Sequence, residues 1–299
     1  VRCLVMNHFT FTDNPNRDGL TPLMIGAKYG ICEAMAELVR LKAKVSFEER
    51  GHTALHAAIE GKQLKAIEFL IQSKASPSIE LSNGITPMIL AAKMNFPEAL
   101  AALVAAGAGV DDVSQRGETP LIVAAKHGTI KAITKLVKLG AEVDKEVNGK
   151  TAFNVATCAQ QAEGVRLLHS LGAEINRESS DGFTSLMSAC RLGDAQLVKA
   201  LLECGADASF ETKTNPSTAF IECARHGKTD LFELLLTHGV SAHQETKSGM
   251  TALHAATSAG QMQSIKALIE LGLDIELENA EGKTPLTMAA EAGQMAAIM

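Results

Sequence analysis

Nine histidines and six cysteines are the side chains that would make this chain a metalloprotein or a thiol enzyme. A metal needs His or Cys at tight convergent spacing, as in paired C-x-x-C or H-E-x-x-H on one helix. Neither occurs: Cys3, Cys32, Cys158, Cys190, Cys204 and Cys223 stand apart, with no pair at that interval. The strained G-x-S-x-G turn and the phosphate-cradling G-x-x-x-x-G-K-[ST] loop are absent too. His56 and His254 share one setting, Thr-Ala-Leu-His, which marks them as parts of a recurring frame. Cys190 and Cys223 stand where other segments have alanine, so packing is their expected role. Cys158 is expected on an exposed face, but no basic neighbour in sequence would lower its pKa, so it reads as inert. Glu276, Glu278 and Glu281 read as a solvated tip rather than a cation site. These residues support no enzyme and no cofactor.

The elements that hold these side chains come from one repeating unit. Threonine-led strings recur at Thr21, Thr53, Thr86, Thr119, Thr151, Thr184, Thr218, Thr251 and Thr284, with steps of 32, 33, 33, 32, 33, 34, 33 and 33 residues. Two residues before each threonine is a glycine, except at Pro216. Two residues after it is an apolar side chain, from Leu23 and Leu55 to Phe220 and Leu286. Threonine suits an N-cap, and the following Pro22, Pro87, Pro120 and Pro285 suit a first helical position that has no use for an N–H. Small pairs such as Ala91-Ala92 and Ala124-Ala125 let neighbouring helices approach closely. A glycine nine residues after the threonine ends this first helix in most units. A second helix follows, with apolar residues at helical spacing (Ile130, Ile133, Leu136, Val137), and closes on Gly107, Gly140, Gly172, Gly205, Gly239 or Gly272. One such pair cannot bury its apolar face alone, whereas stacked neighbours can.

These strings resemble the ankyrin repeat family, whose unit reads T-P-L-H-x-A-A, then G, then a second helix closing on G-A-D/E-V/I. Thr251-Ala-Leu-His-Ala-Ala and Gly140-Ala-Glu-Val come close to it. The resemblance implies an all-α ankyrin-repeat solenoid of stacked helix-turn-helix units with hairpin fingers, and a role in protein recognition. It would run over 1–299 as a single array, with repeats beginning near 17, 49, 82, 115, 147, 180, 214, 247 and 280 and the last one truncated. It also implies that His56 and His254 bond the backbone of the adjacent finger.

Leu4, Val5 and Met6 align with Leu234, Leu235 and Leu236, so residues 1–14 read as the tail of an earlier repeat. Neither end shows a polar capping face, and a fragment of a longer protein is the expectation. In the fifth unit Gln160 replaces the inter-helix glycine and Gly164 lies inside the second helix, which would make it a soft joint or merely a degenerate repeat. Lys42 and Lys74 stand where later units have the closing glycine, a strain if the left-handed backbone is kept. The seventh unit has one extra residue and Pro216, so its finger should differ.

Apolar residues make up 46% but aromatics only 4%, so the core must be built from small and aliphatic side chains. The net charge of −6 argues against nucleic acid as the main partner. No apolar run is long enough for direct membrane insertion. Unpaired cysteines fit a reducing cytoplasmic setting, with the nucleus equally compatible. Seven residues after the threonine, an outward position of the first helix, stand Lys28, Lys93, Lys126, Arg191 and Arg225, interrupted by Glu60, Cys158, Ser258 and Glu291. Beside them lie Leu20, Ile85, Phe183 and Met250 before the threonine, and Tyr29, Met94, His127, Leu192 and His226 after the cation slot. On the concave face that the resemblance implies, this mixture suits a protein or peptide partner of acidic, amphipathic character. The leading expectation is a non-catalytic scaffold or adaptor. The cytosolic ankyrin domain of a membrane protein such as an ion channel, a spacer in a cytoskeletal or ciliary assembly, and the appendage of an enzyme encoded outside 1–299 are the other classes the sequence leaves open.

Overall fold

The computed structural model describes residues 13–298. Leu4, Val5, Met6 and Cys3 lie outside the described residues. Contacts divide the chain into two compact units, one ending at Val147 and the other starting at Asn148. The boundary falls at the start of the fifth repeat, the one with Gln160 and Gly164.

In the first unit the helices alternate first and second: α1 Pro22–Lys28, α2 Cys32–Arg40, α3 Ala54–Glu60, α4 Leu64–Gln72, α5 Pro87–Lys93, α6 Pro97–Ala105, α7 Pro120–Lys126 and α8 Ile130–Lys138. The second unit continues with α9 Ala152–Cys158, α10 Ala162–Ser170, α11 Ser185–Leu192, α12 Ala195–Glu203, α13 Ala219–Arg225, α14 Phe232–Thr237, α15 Ala252–Ser258, α16 Met262–Glu270, α17 Pro285–Glu291 and α18 Met295–Ile298. A short 3-10 turn, Thr229–Leu231, leads into α14. Within each unit first helices pack on first helices, as α1 on α3 and α13 on α15, and second helices on second helices, as α6 on α8 and α10 on α12.

Every first helix starts as its sequence directs. Each of the nine threonines is an extended N-cap whose hydroxyl accepts from the third amide of the helix, for example Met24 N–H on Thr21 at 3.3 Å and Ile122 N–H on Thr119 at 3.2 Å. This satisfies one of the amides a helix start leaves open. The alanine strip is fully buried between neighbours, and Cys190 and Cys223 sit in it without exposure, as packing residues. The dependence on neighbours shows in one slot. Leu23, Leu55, Leu121 and Leu253 are buried beneath the following repeat, whereas Leu286, with no further described repeat beyond its own, is 52% exposed. Burying such a leucine stabilises by about 1.5–3 kcal/mol, and it is the next unit that does so.

The fingers differ from a strand hairpin. Among the described residues of this fold the one isolated bridge recorded is Glu49 with His52. Most fingers are single turns closed by two backbone bonds, as Leu81 N–H to Ile85 carbonyl at 3.0 Å with Gly84 N–H to Leu81 carbonyl at 2.8 Å, or Ser179 N–H to Phe183 carbonyl at 3.0 Å with Gly182 N–H to Ser179 carbonyl at 2.9 Å. Their arms are too short to form a ladder. They are tied to one another instead by carboxylates: Glu48 accepts from Ser82 N–H at 3.0 Å, Glu80 from Gln115 N–H at 2.6 Å, Glu178 from Lys213 N–H at 2.8 Å and Glu211 from Lys247 N–H at 3.0 Å. The Ser82 donors lower the pKa of Glu48.

Lys42 and Lys74 keep the left-handed backbone, with φ of 64° and 68°. At the equivalent Gly107, Gly140 and Gly172 an added Cβ would meet nothing, so the cost at the lysines is conformational and not steric crowding. Left-handed backbone costs a non-glycine residue about 1–2 kcal/mol, part of which glycine returns as unfolded-chain entropy. Lys74→Gly should therefore raise stability by about 0.5–1 kcal/mol, read as a higher urea midpoint at unchanged m-value. A lower midpoint would show that the Lys74 side chain contributes more than its backbone costs.

Candidate functional site

Both structural histidines are fully buried. His254 Nδ1 meets Thr251 Oγ1 at 2.8 Å, and Nε2 lies 3.1 Å from the Lys283 carbonyl of the next finger. His56 makes the same 2.8 Å contact with Thr53, but its Nε2 has no partner in hydrogen-bonding geometry, although the Ile85 backbone stands near it. Burial pushes the pKa of His56 down to about 4 and that of His254 down as well. Cys158 is exposed, yet desolvation, then Asp181, raises its thiol pKa above the ordinary value. Among the described residues no three of His, Cys, Asp or Glu are grouped to hold a metal, and no helix is long and apolar enough to cross a membrane.

The five cations all stand in the last turn of a first helix: Lys28 on α1, Lys93 on α5, Lys126 on α7, Arg191 on α11 and Arg225 on α13. A cation there favours the helix itself by about 0.3–1 kcal/mol through the carbonyl end of the dipole. Position alone therefore does not make a binding surface, and what surrounds each cation decides.

In the first unit Lys93 and Lys126 are exposed, and Lys28 is half-buried. Lys126 lies 3.4 Å from Glu118, and Lys93 has no ion pair among the described residues. Between the two lysines, His127 has its pKa lowered by burial, then by Lys93 and Lys126, with Glu118 opposing. Lys93 and Lys126 thus act together on the His127 ring. Tyr29 is 65% exposed beside Lys28, and Ile85 and Met94 are half-buried.

In the second unit the cations are already engaged, which the spacing alone did not indicate. Glu222, third residue before Arg225 on α13, is only 2% exposed. Its carboxylate lies 3.2 Å from Arg225 Nε, 4.0 Å from Arg191 Nε and 3.7 Å from His226 Nδ1. Ser217 Oγ donates to Glu222 Oε1 at 2.7 Å. The 3.2 Å contact with Arg225 is an ion pair by distance without hydrogen-bond alignment. Arg191 also lies 3.8 Å from Asp181 and covers the Phe183 ring at 4.4 Å. Phe183, Arg191 and Arg225 come together with Asn215, Pro216, Ser217, Glu222 and His226 around a cavity of about 410 Å³. Leu192 is 42% exposed, and neither it nor Met250 lines that cavity; Met250 takes a contact from Asn279 Nδ2 at 3.5 Å. A signal for Glu222 was present in the sequence: the same slot holds Ile25, Ala57, Leu90, Val123 and Val155 in other units, so a carboxylate stands out.

Comparison with known proteins is consistent with this geometry. A model described as "Ankyrin repeats (3 copies)" matches residues 1–80, 74–147, 140–212, 186–279 and 220–299. The B-cell lymphoma 3 protein homolog of Mus musculus is 25% identical over 232 residues, covering 74% of this chain and 44% of that protein. Ankyrin repeat and SOCS box protein 16 of Homo sapiens is 27% identical over 258 residues, 83% of this chain and 49% of that protein. The chain thus spans less than half the length of either relative. The crystal structure of the human ASB11 ankyrin repeat domain superposes with a TM-score of 0.64 at 22% identity, covering 74% of this chain and 99% of that one. With the family model matched from end to end and capped helix pairs stacked in each unit, the chain belongs to the ankyrin repeat family, a fold of protein–protein interaction.

Proposed function

We propose that this chain is a non-catalytic scaffold or adaptor that holds a protein or peptide partner on its first-helix face, concave in the ankyrin geometry. The partner carries acidic and apolar residues together. The observation that carries this reading is the pair of exposed cations Lys93 and Lys126, set on helix ends of a chain whose net charge is −6. Such a local reversal of sign steers an acidic partner and rejects a basic one. Exposed Tyr29 and Leu192 add apolar contact beside the cations. A reducing intracellular compartment suits the free thiols of Cys32, Cys158, Cys190, Cys204 and Cys223.

The test captures partners from lysate with the chain as it stands and with Lys93→Glu/Lys126→Glu. Both lysines are exposed, so their reversal should cost only the helix-end charge and the Lys126–Glu118 contact, about 1–2 kcal/mol in all, and leave the fold intact. The captured partner should bind the double variant about tenfold more weakly or worse, with the gap narrowing as salt is raised. Equal affinity across ionic strengths would remove the first unit's cations from recognition.

A further inference from the structure

The irregular seventh repeat suggests more than a general basic face. Its finger is one residue longer than the common form and closes differently, with Thr212 N–H on the Ser217 carbonyl at 3.2 Å and Thr212 Oγ1 on the Asn215 carbonyl at 2.5 Å. The added length sets Asn215 and Pro216 as a wall of the cavity and lets Ser217 reach Glu222. We propose that this cavity takes a single carboxylate of an acidic partner residue, with an apolar neighbour of that residue packed on Phe183 and Pro216. The proposal rests on the reading that the first-helix face recognises protein, and it names the group recognised in the second unit.

Three features point to a carboxylate. Glu222 takes up the Nε side of both guanidiniums, while a guanidinium has five N–H donors. Arg191 Nη1 lies 3.8 Å from Asp181, which leaves Arg191 Nη2 and the terminal amino groups of Arg225 for a planar, two-oxygen acceptor, the geometry that guanidinium matches best. The lean of Arg191 on Phe183 fixes one donor set at a low cost in side-chain freedom. The third feature is charge. Two guanidiniums face one buried carboxylate, with the exposed Asp181 a further 3.8 Å from Arg191. Against the buried Glu222 alone the two guanidiniums leave one positive charge, which a carboxylate matches and a phosphate dianion exceeds; the exposed, solvent-screened Asp181 reduces that excess further. His226 Nδ1 is 3.0 Å from the Glu222 carbonyl.

Glu222 is then a positioning residue, and replacing it should change which anion is chosen. The experiment titrates the whole chain by NMR with blocked peptides, acetyl-Leu-Asp-Leu-Leu-amide, its Asn form, its phosphoserine form, and the Asn form with a free C-terminal carboxylate. The Asp peptide should shift His226 and Arg225 signals and bind about tenfold or more tightly than the Asn peptide and than the phosphoserine peptide. Binding of the free-carboxylate peptide in place of Asp would assign the site to a chain terminus, and the carboxylate proposal would stand in that form. Arg191→Gln and Arg225→Gln should each lose the preference for Asp over Asn. Glu222→Gln keeps an acceptor for Ser217, adds one positive unit and should invert the order to favour phosphoserine. Equal Asp and Asn affinities, tighter phosphoserine binding by the unaltered chain, no binding by any peptide, or no effect of either arginine change would each overturn the proposal. If the peptide result fails while Lys93→Glu/Lys126→Glu still loses its captured partner, the cavity falls and the broader reading stands.

Discussion

Acidification from pH 7 to pH 4 is expected to remove about 3 kcal/mol of folding stability through His56 alone. The ring is fully buried, and its Nε2 finds no aligned acceptor, so a proton arriving there would be a charge in the core without solvation. Burial accordingly holds its pKa at about 4, against 6.5 for the unfolded chain. The unfolded state takes the proton first as pH falls. The contribution is therefore complete above pH 6.5, declines between 6.5 and about 4, and is gone below the folded value. One substitution isolates it. Asn154 occupies the same slot in the fifth repeat, where its Oδ1 accepts from Thr151 N–H at 2.9 Å while Thr151 accepts from Asn154 N–H at 3.3 Å. His56→Asn should install this capping box around Thr53 without a titrating group. Urea unfolding at pH 7, 6, 5 and 4 should show a clear fall for the parent and a much shallower one for the variant. The remaining slope belongs to His254 and His127, whose pKa values are also lowered by burial, and, toward pH 4, to carboxylates such as Glu48, whose pKa the Ser82 donors lower. Parallel pH profiles for the two proteins would mean that His56 is solvated in the folded state.

The fold was legible because its information is local and repeated. A threonine, a proline and a glycine each act within one turn, and nine copies in register make the pattern hard to mistake. Buried alanines and the Cys190 and Cys223 thiols followed from slot alone. The fingers were less legible. Their carboxylates bond amides some thirty-five residues away, as Glu80 does to Gln115, and no local pattern states that partnership. The candidate site was half legible. Spacing assigned the five cations to one face of their helices, but it could not tell a free lysine from an engaged arginine. Lys93 is unpaired, whereas Arg191 and Arg225 share Glu222, a residue that looked like one more charge among thirty-four acidic side chains. What set it apart was a carboxylate in a slot otherwise small or apolar, next to the longest finger. Two departures from the repeat within a few residues of each other were the signal for a site.

Phe220→Ala should be the most damaging single change in the second unit. Its ring is 1% exposed on α13 and lies 4.9 Å from the ring of Phe232, the first residue of α14. Most other units hold leucine or methionine at this position, so the aromatic pair is a local solution to the short 3-10 entry that replaces the first turn of the second helix. Removing the ring forfeits its transfer energy and leaves a cavity that two flanking repeats cannot fill, about 3–5 kcal/mol. Phe220→Leu keeps most of the volume, restores the usual residue of the slot and should cost about 1–1.5 kcal/mol. The pattern of the loss matters as much as its size. In a stack whose units contact only their neighbours, destabilisation spreads by nearest-neighbour coupling. Native-state hydrogen exchange should then show protection falling most in α13 and α14, less in α11 and α15, and least in α9 at the far side of the same unit. Glu222 and Arg225 ride on α13, so carboxylate recognition should weaken together with that local opening and recover in the leucine variant. A uniform fall in protection from α9 to α17 would describe a single cooperative core, and stacking of semi-independent hairpins would no longer explain why each of these short helices is stable.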